Sequence, residues 1–183
     1  LAKLTKPTIK LWSEVLKAVP GSRLRLKAKA LGDKMTRARI VHNFADHGIE
    51  ETRLDLMAWI TGTNPLEAYH SIDIALDTFP YHGTTTTMEA LWMGVPVVTL
   101  AGAWHASRVG VSILARVKAE ELIAATPSDY LKIATTLANK PDVMTKFRRQ
   151  LRSMVVRGGL TDGARITAEI EAAYHDAWEE FLQ

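Results

Sequence analysis

Residues 72–102 read IDIALDTFPYHGTTTTMEALWMGVPVVTLAG, and their pattern points to one kind of fold. Ile72–Leu76 is an apolar run of strand length, residues 84–93 carry a helical pattern, and Val95–Leu100 is a second apolar run, bounded by Gly94 and Gly102. Such runs, apolar at almost every position, belong to strands buried on both faces, as in parallel sheets. Strand, loop, helix and strand in this order make a βαβ unit, whose right-handed crossover builds a doubly wound sheet. Upstream, Pro7 suits a first helical turn, and Ile9, Trp12, Leu16 and Val19 recur at helical spacing until Pro20-Gly21. The spacing then predicts strands over 23–28 and 53–58, a helix over 36–47 closed by Gly48, and a short helix over 65–71. From residue 105 onward it predicts only helix, over 105–115, 128–139, 141–155 and 162–181. The expectation is an α/β lobe over residues 1–125 and a helical tail over 126–183 packed on the same lobe. Trp12, Trp59, Trp92 and Trp178 fall at apolar-periodic positions and are expected in the core.

A chain of 183 residues buries roughly 70% of the surface its unfolded form exposes, so it needs no covalent staple. With no cysteine it has no disulfide scaffold, thiol nucleophile or cysteine-held zinc or iron–sulfur site. Its 47% hydrophobic and 23% charged residues fit a globular protein, and no apolar run approaches the ~18 residues of a membrane span. Neither a membrane nor a nucleic acid is expected as a partner, because a net charge of +3 is small and scattered. The first residue is Leu1, which suggests a piece of a longer chain, and a cytoplasmic setting is expected.

In an open α/β sheet, ligands bind at the carboxyl ends of the strands, here the loops after Leu76 and Leu100. The first loop runs Asp77-Thr78-Phe79-Pro80-Tyr81-His82-Gly83-Thr84-Thr85-Thr86-Thr87 straight into a helix. Gly83 allows close approach of backbone to ligand. Thr84, Thr85 and Thr86 bring hydroxyls and unpaired amides to a helix N-terminus, where the dipole favours an anion. The same residues would also suit a single threonine cap with solvated neighbours. Glu89 lies one turn along from Thr85; it would serve either ribose hydroxyls or the helix dipole. The second loop offers Gly102, His105, Ser107 and Arg108, the last able to pair with phosphate or with a carboxylate. The six histidines form no HExxH pair, no Asp-x-Asp motif is present to hold a magnesium, and the GxSxG elbow of serine hydrolases is missing.

Residues 73–114, DIALDTFPYHGTTTTMEALWMGVPVVTLAGAWHASRVGVSIL, closely resemble the C-terminal lobe of the O-linked N-acetylglucosamine transferase family, including its bacterial and SPINDLY-like members. Weaker resemblance extends upstream through KLTKPTIKLWSEVLKAVPGSRLRLKA and FADHGIEETRLDL and downstream through LTDGARIT to the Tyr174–Trp178 helix. The resemblance implies a GT-B fold, in which two Rossmann-like lobes face each other across a cleft. This chain would be the C-terminal, UDP-sugar-binding lobe without its first strand. It implies that Lys3 contacts the diphosphate and acts in catalysis, that Gly83, Thr84, Thr85 and Thr86 bind phosphate, and that Glu89 binds ribose. Tyr81, His82, His105 and Arg108 become candidates for the sugar side or its flanking loops. Animal members have a histidine at Thr84, another that packs on uridine falls at Pro65, a lysine falls at Gly62, and His82 replaces an asparagine. The implied reaction is metal-independent and inverting, without a cofactor. A serine or threonine hydroxyl of a protein acceptor attacks UDP-GlcNAc, and the acceptor is held by the other lobe and its helical (TPR) repeats. No general base is assigned. Lys3, close to the terminus, is expected to fray. Within the same fold the sequence also admits another nucleotide-sugar transferase or an epimerase, and outside enzymes a non-catalytic interaction module.

Overall fold

The computed structural model describes residues 1–59 and 64–182. Helix α1 spans Lys6–Ala18; the Thr5 side chain caps it by accepting from the Thr8 amide, and Pro7 sits in its first turn. Its buried face, Ile9, Trp12, Val15 and Leu16, packs on the core, and the chain reverses through Gly21 at φ +81°. Strand β1 (Leu24–Lys27) pairs in parallel with β2 (Leu54–Met57), Leu24 opposite Leu54 and Lys27 opposite Met57. Between them lies α2 (Lys34–Ala45), capped by Asp33 and anchored by buried Ile40 and Phe44.

A second parallel group has the order β3-β4-β5, with β4 (Val97–Leu100) in the middle and buried along its whole length. Helix α3 (Thr85–Trp92) connects β3 (Ala75–Leu76) to β4, and α4 (Val109–Arg116) connects β4 to β5 (Ile123–Ala124). The α/β architecture with parallel strands is thus the expected one, in two paired groups. Strand β5 departs from the expectation of helix throughout beyond residue 105. It has two residues, pairing with Thr99 and Leu100, too few to express any period. Strand β3 is likewise two residues rather than the five expected from Ile72. The helix expected over 105–115 is a 3₁₀ turn, His105–Ser107, followed by α4.

Helices α5 (Pro127–Ala138) and α6 (Pro141–Arg157) close the core with Tyr130, Leu137, Phe147, Leu151 and Val155. Trp12 Nε1 donates to the buried Tyr130 hydroxyl at 3.1 Å, tying α1 to α5. Helix α7 (Gly163–Phe181) differs from a packed tail, for it has no buried residue. Trp178 on α7 is 58% exposed and Trp59 is 66% exposed, so only Trp12 of the four expected core tryptophans is fully buried; Trp92 is half-buried.

Candidate functional site

All these strands are parallel, so the loops after β3 and β4 emerge together at one edge. The loop after β3 is fixed along its length. Tyr130 Oη donates to the Asp77 carbonyl at 3.1 Å, and Thr5 and Thr8 hydroxyls donate to the Phe79 carbonyl at 2.9 and 2.7 Å. Thr78 Oγ1 donates to the Tyr81 carbonyl at 2.6 Å. Asp77 turns its carboxylate back under the loop, where Oδ1 accepts from the Gly83 amide at 2.8 Å and Oδ2 from the Thr99 hydroxyl at 2.7 Å. Burial pushes the Asp77 carboxyl above the usual carboxylate range, against the pull of the Gly83 amide, the His82 ring and the Thr99 hydroxyl.

That loop delivers the chain into α3 with Thr84, Thr85 and Thr86 exposed and Thr87 buried. Thr84 occupies the cap position but its side chain makes no capping bond, and α3 has no acidic residue in its first turn. The first-turn amides, which have no intrahelical partner, therefore face outward beside three hydroxyls, as an anion site requires. A Cβ on Gly83 would lie 2.6 Å from Thr86 Oγ1 and 2.8 Å from Thr87 Oγ1, so any side chain here would force those hydroxyls out of place. Lys3 reaches the same place rather than fraying: its Nζ donates to the His82 carbonyl at 2.7 Å and sits 4.1 Å from the centre of the Tyr81 ring. The ammonium and the helix start thus flank one exposed spot.

Glu89, one turn further along α3, accepts from the Tyr69 hydroxyl at 3.0 Å. Burial and the Glu89 carboxylate push the Tyr69 phenol up, so it stays protonated as the donor. One carboxylate oxygen is oriented in this way while Glu89 stays half-buried at the edge of the site.

Of the remaining candidates, Tyr81, His105 and Arg108 are exposed on the two loops, and Arg108 Nη1 donates to the Gly102 carbonyl at 3.1 Å. The loops are joined where the His82 amide donates to the Ala106 carbonyl at 2.9 Å. The His82 side chain departs from a sugar-side role. It is 1% exposed and its ring points into the core, leaving only its main chain at the site. Pro65 opens a 3₁₀ helix, Pro65–Ser71, capped by Asn64. Gly62 lies outside the described residues. Among the described residues no three His, Cys, Asp or Glu side chains gather as a metal would need, and no helix is long and apolar enough to cross a membrane. Thr5, Thr8, Tyr69, Thr99 and Gly110 were not legible as site-forming residues. Each acts through a partner between 20 and 74 positions away, and no local period encodes such a contact.

The chain matches glycosyl transferase family 41 over residues 1–170. It is 41% identical over 182 residues to the probable UDP-N-acetylglucosamine–peptide N-acetylglucosaminyltransferase SPINDLY of Solanum lycopersicum, covering 99% of this chain and 20% of that protein. The corresponding protein of Hordeum vulgare is 39% identical over 99% of this chain and 19% of its own length. A solved structure of a mutant Thermobaculum terrenum O-GlcNAc transferase superimposes with a TM-score of 0.90 at 39% identity, over 95% of this chain and 34% of that one. The chain therefore spans about a fifth of these curated relatives and a third of the solved one.

Proposed function

The chain belongs to glycosyl transferase family 41 and has the fold of a GT-B C-terminal lobe, and from that premise we propose that it is the donor-binding half of a protein O-GlcNAc transferase. The observation that carries this reading is the convergence of the Lys3 ammonium with the uncapped start of α3. A nucleoside diphosphate is the ligand such a site suits. Its phosphates would meet the amides and hydroxyls of Thr84, Thr85 and Thr86, with Gly83 allowing close approach, and Lys3 would supply the balancing charge. Glu89, oriented by Tyr69, would accept from the ribose hydroxyls.

In the proposed reaction the acceptor hydroxyl attacks the anomeric carbon of UDP-GlcNAc from the face opposite the departing UDP, so the configuration inverts. Negative charge grows on the diphosphate as the glycosidic bond breaks. Donors already aimed at that charge stabilise the transition state more than the ground state, the effect that usually contributes most. Lys3 and the α3 amides are such donors. The serine or threonine belongs to the acceptor protein, which the opposite lobe would hold, and that lobe would also supply the general base that takes the hydroxyl's proton. Tyr81, His105 and Arg108, exposed on the two loops, would be the candidates to meet the sugar. We read the reaction as metal-independent because amides, hydroxyls and a lysine can together balance a diphosphate.

Calorimetric titration with UDP, UDP-GlcNAc, UDP-glucose and GDP, each with magnesium present and again in EDTA, tests the reading. UDP and UDP-GlcNAc are expected to bind with chelator present, and GDP to bind more weakly. Binding abolished by EDTA would require a cation and overturn the metal-independent site; no binding of any nucleotide would overturn the donor-lobe assignment.

A further inference from the structure

The buried histidine of the β3 loop has no part in the function proposed above, yet both of its ring nitrogens are engaged. The Gly110 amide donates to Nδ1 at 3.0 Å, so Nδ1 carries the lone pair, and the proton sits on Nε2, 2.9 Å from the Leu100 carbonyl it donates to. One imidazole thus spans from the loop to the end of β4 and the first turn of α4. Around it lie Asp77 Oδ2 at 3.5 Å and Thr99 Oγ1 at 3.3 Å from Nδ1. The neighbouring element is shaped for this contact: a Cβ on Gly110 would stand 2.5 Å from Thr99 Oγ1, 2.6 Å from Asp77 Oδ2 and 3.1 Å from Nδ1.

The main chain of the same residue faces the other way. Its amide is held by the Ala106 carbonyl, and its carbonyl receives the Lys3 ammonium at 2.7 Å, over the Tyr81 ring. We propose that His82 is a positioning residue for the diphosphate end of the donor site, its ring fixing the carbonyl to which Lys3 is moored. The inference rests on the donor-site reading. A lysine is a point charge on a flexible four-carbon stem, so an anion gains most from it when the ammonium is held in place beforehand. The carbonyl takes one of its three N–H donors and leaves the others for phosphate. A carbonyl in a loop tied only at its ends would let the ammonium wander; this one is tied from inside by a ring that cannot rotate without breaking two hydrogen bonds.

A double-mutant cycle between His82 and Lys3, read by UDP calorimetry, tests this. His82→Leu keeps the bulk and removes both ring contacts; His82→Asn keeps an acceptor where Nδ1 was; Lys3→Met removes the charge. Each variant is melted first to establish that it is folded at the titration temperature. If His82→Leu does not fold, His82→Asn carries the cycle. His82→Leu is expected to lower UDP affinity about tenfold in the presence of Lys3 and less than about twofold in the Lys3→Met background. His82→Asn should lose about threefold, again only with Lys3 present, and uridine affinity should be unchanged throughout. Equal losses in both backgrounds, or a parallel loss of uridine, would make the histidine merely structural and overturn the inference while leaving the donor site intact. A wild-type protein that bound no UDP would overturn the donor-site reading, and this inference with it.

Discussion

Asp77 is buried at the end of β3 with a carboxyl held above its ordinary value, and this has a consequence for stability. Folded protein keeps that proton at pH values where the unfolded chain has lost it. The unfolded state therefore binds fewer protons, and stability falls as pH rises from about 4, the ordinary aspartate value, through the raised one. Asp77→Asn cannot ionise and can still accept from Gly83, so its denaturant midpoint is expected to vary less over that window than the wild type's. A wild-type profile that instead rose with pH there, with the variant flat, would mean the carboxylate is stabilised by its donors. Glu89 belongs to the same scale. Its replacement by alanine is expected to weaken UDP and uridine alike and to spare pyrophosphate, since the carboxylate lies a turn away from the phosphate end. Pyrophosphate bound much more tightly, with uridine unchanged, would show it to be only a repulsive neighbour.

Helices α3 and α6 meet at Gly94, where φ is +77° and a Cβ would lie 2.6 Å from the Arg148 carbonyl. Gly94→Ala is expected to cost about 1–3 kcal/mol or more, from left-handed strain added to overpacking, read as a lower denaturant midpoint. Helix α7 behaves oppositely. Ile166, Ile170, Tyr174, Trp178 and Phe181 recur along it at helical spacing and all are exposed. Deleting residues 163–183 is expected to leave the melting temperature nearly unchanged, because no buried contact is lost; a large drop in calorimetry would contradict this. The same helix shows where sequence periodicity runs out. The period that places Ile9, Trp12 and Leu16 in the core is just as clear in α7, for it reports an amphipathic face and not whether anything covers it. Strands β3 and β5 escape for a different reason, being pinned by parallel partners rather than by their own two residues. The proposed phosphate end of the site was legible as a candidate because Gly83 to Thr87 is contiguous and its chemistry is local. Tyr69 behind Glu89 and the inward turn of His82 depend on distant contacts.

In the proposed reading, the molecule as a whole would supply one wall of a cleft. Catalysis needs reacting atoms held about 3–3.5 Å apart, and a single wall cannot hold an acceptor against a donor. The chain alone is expected to bind nucleotide and transfer no sugar from radiolabelled UDP-GlcNAc to peptide or protein acceptors, with activity appearing when the opposite lobe of the parent enzyme is supplied. Robust transfer by the chain alone would mean that it carries its own acceptor site. The proposed function requires a diphosphate to rest where α3 begins. The most direct test is to titrate UDP into the wild type and into Thr85→Val/Thr86→Val, which keeps side-chain bulk and removes two hydroxyls. The variant is expected to bind UDP about tenfold more weakly or worse, with its melting temperature little changed; equal affinity in the two proteins would mean that the diphosphate does not rest on these hydroxyls.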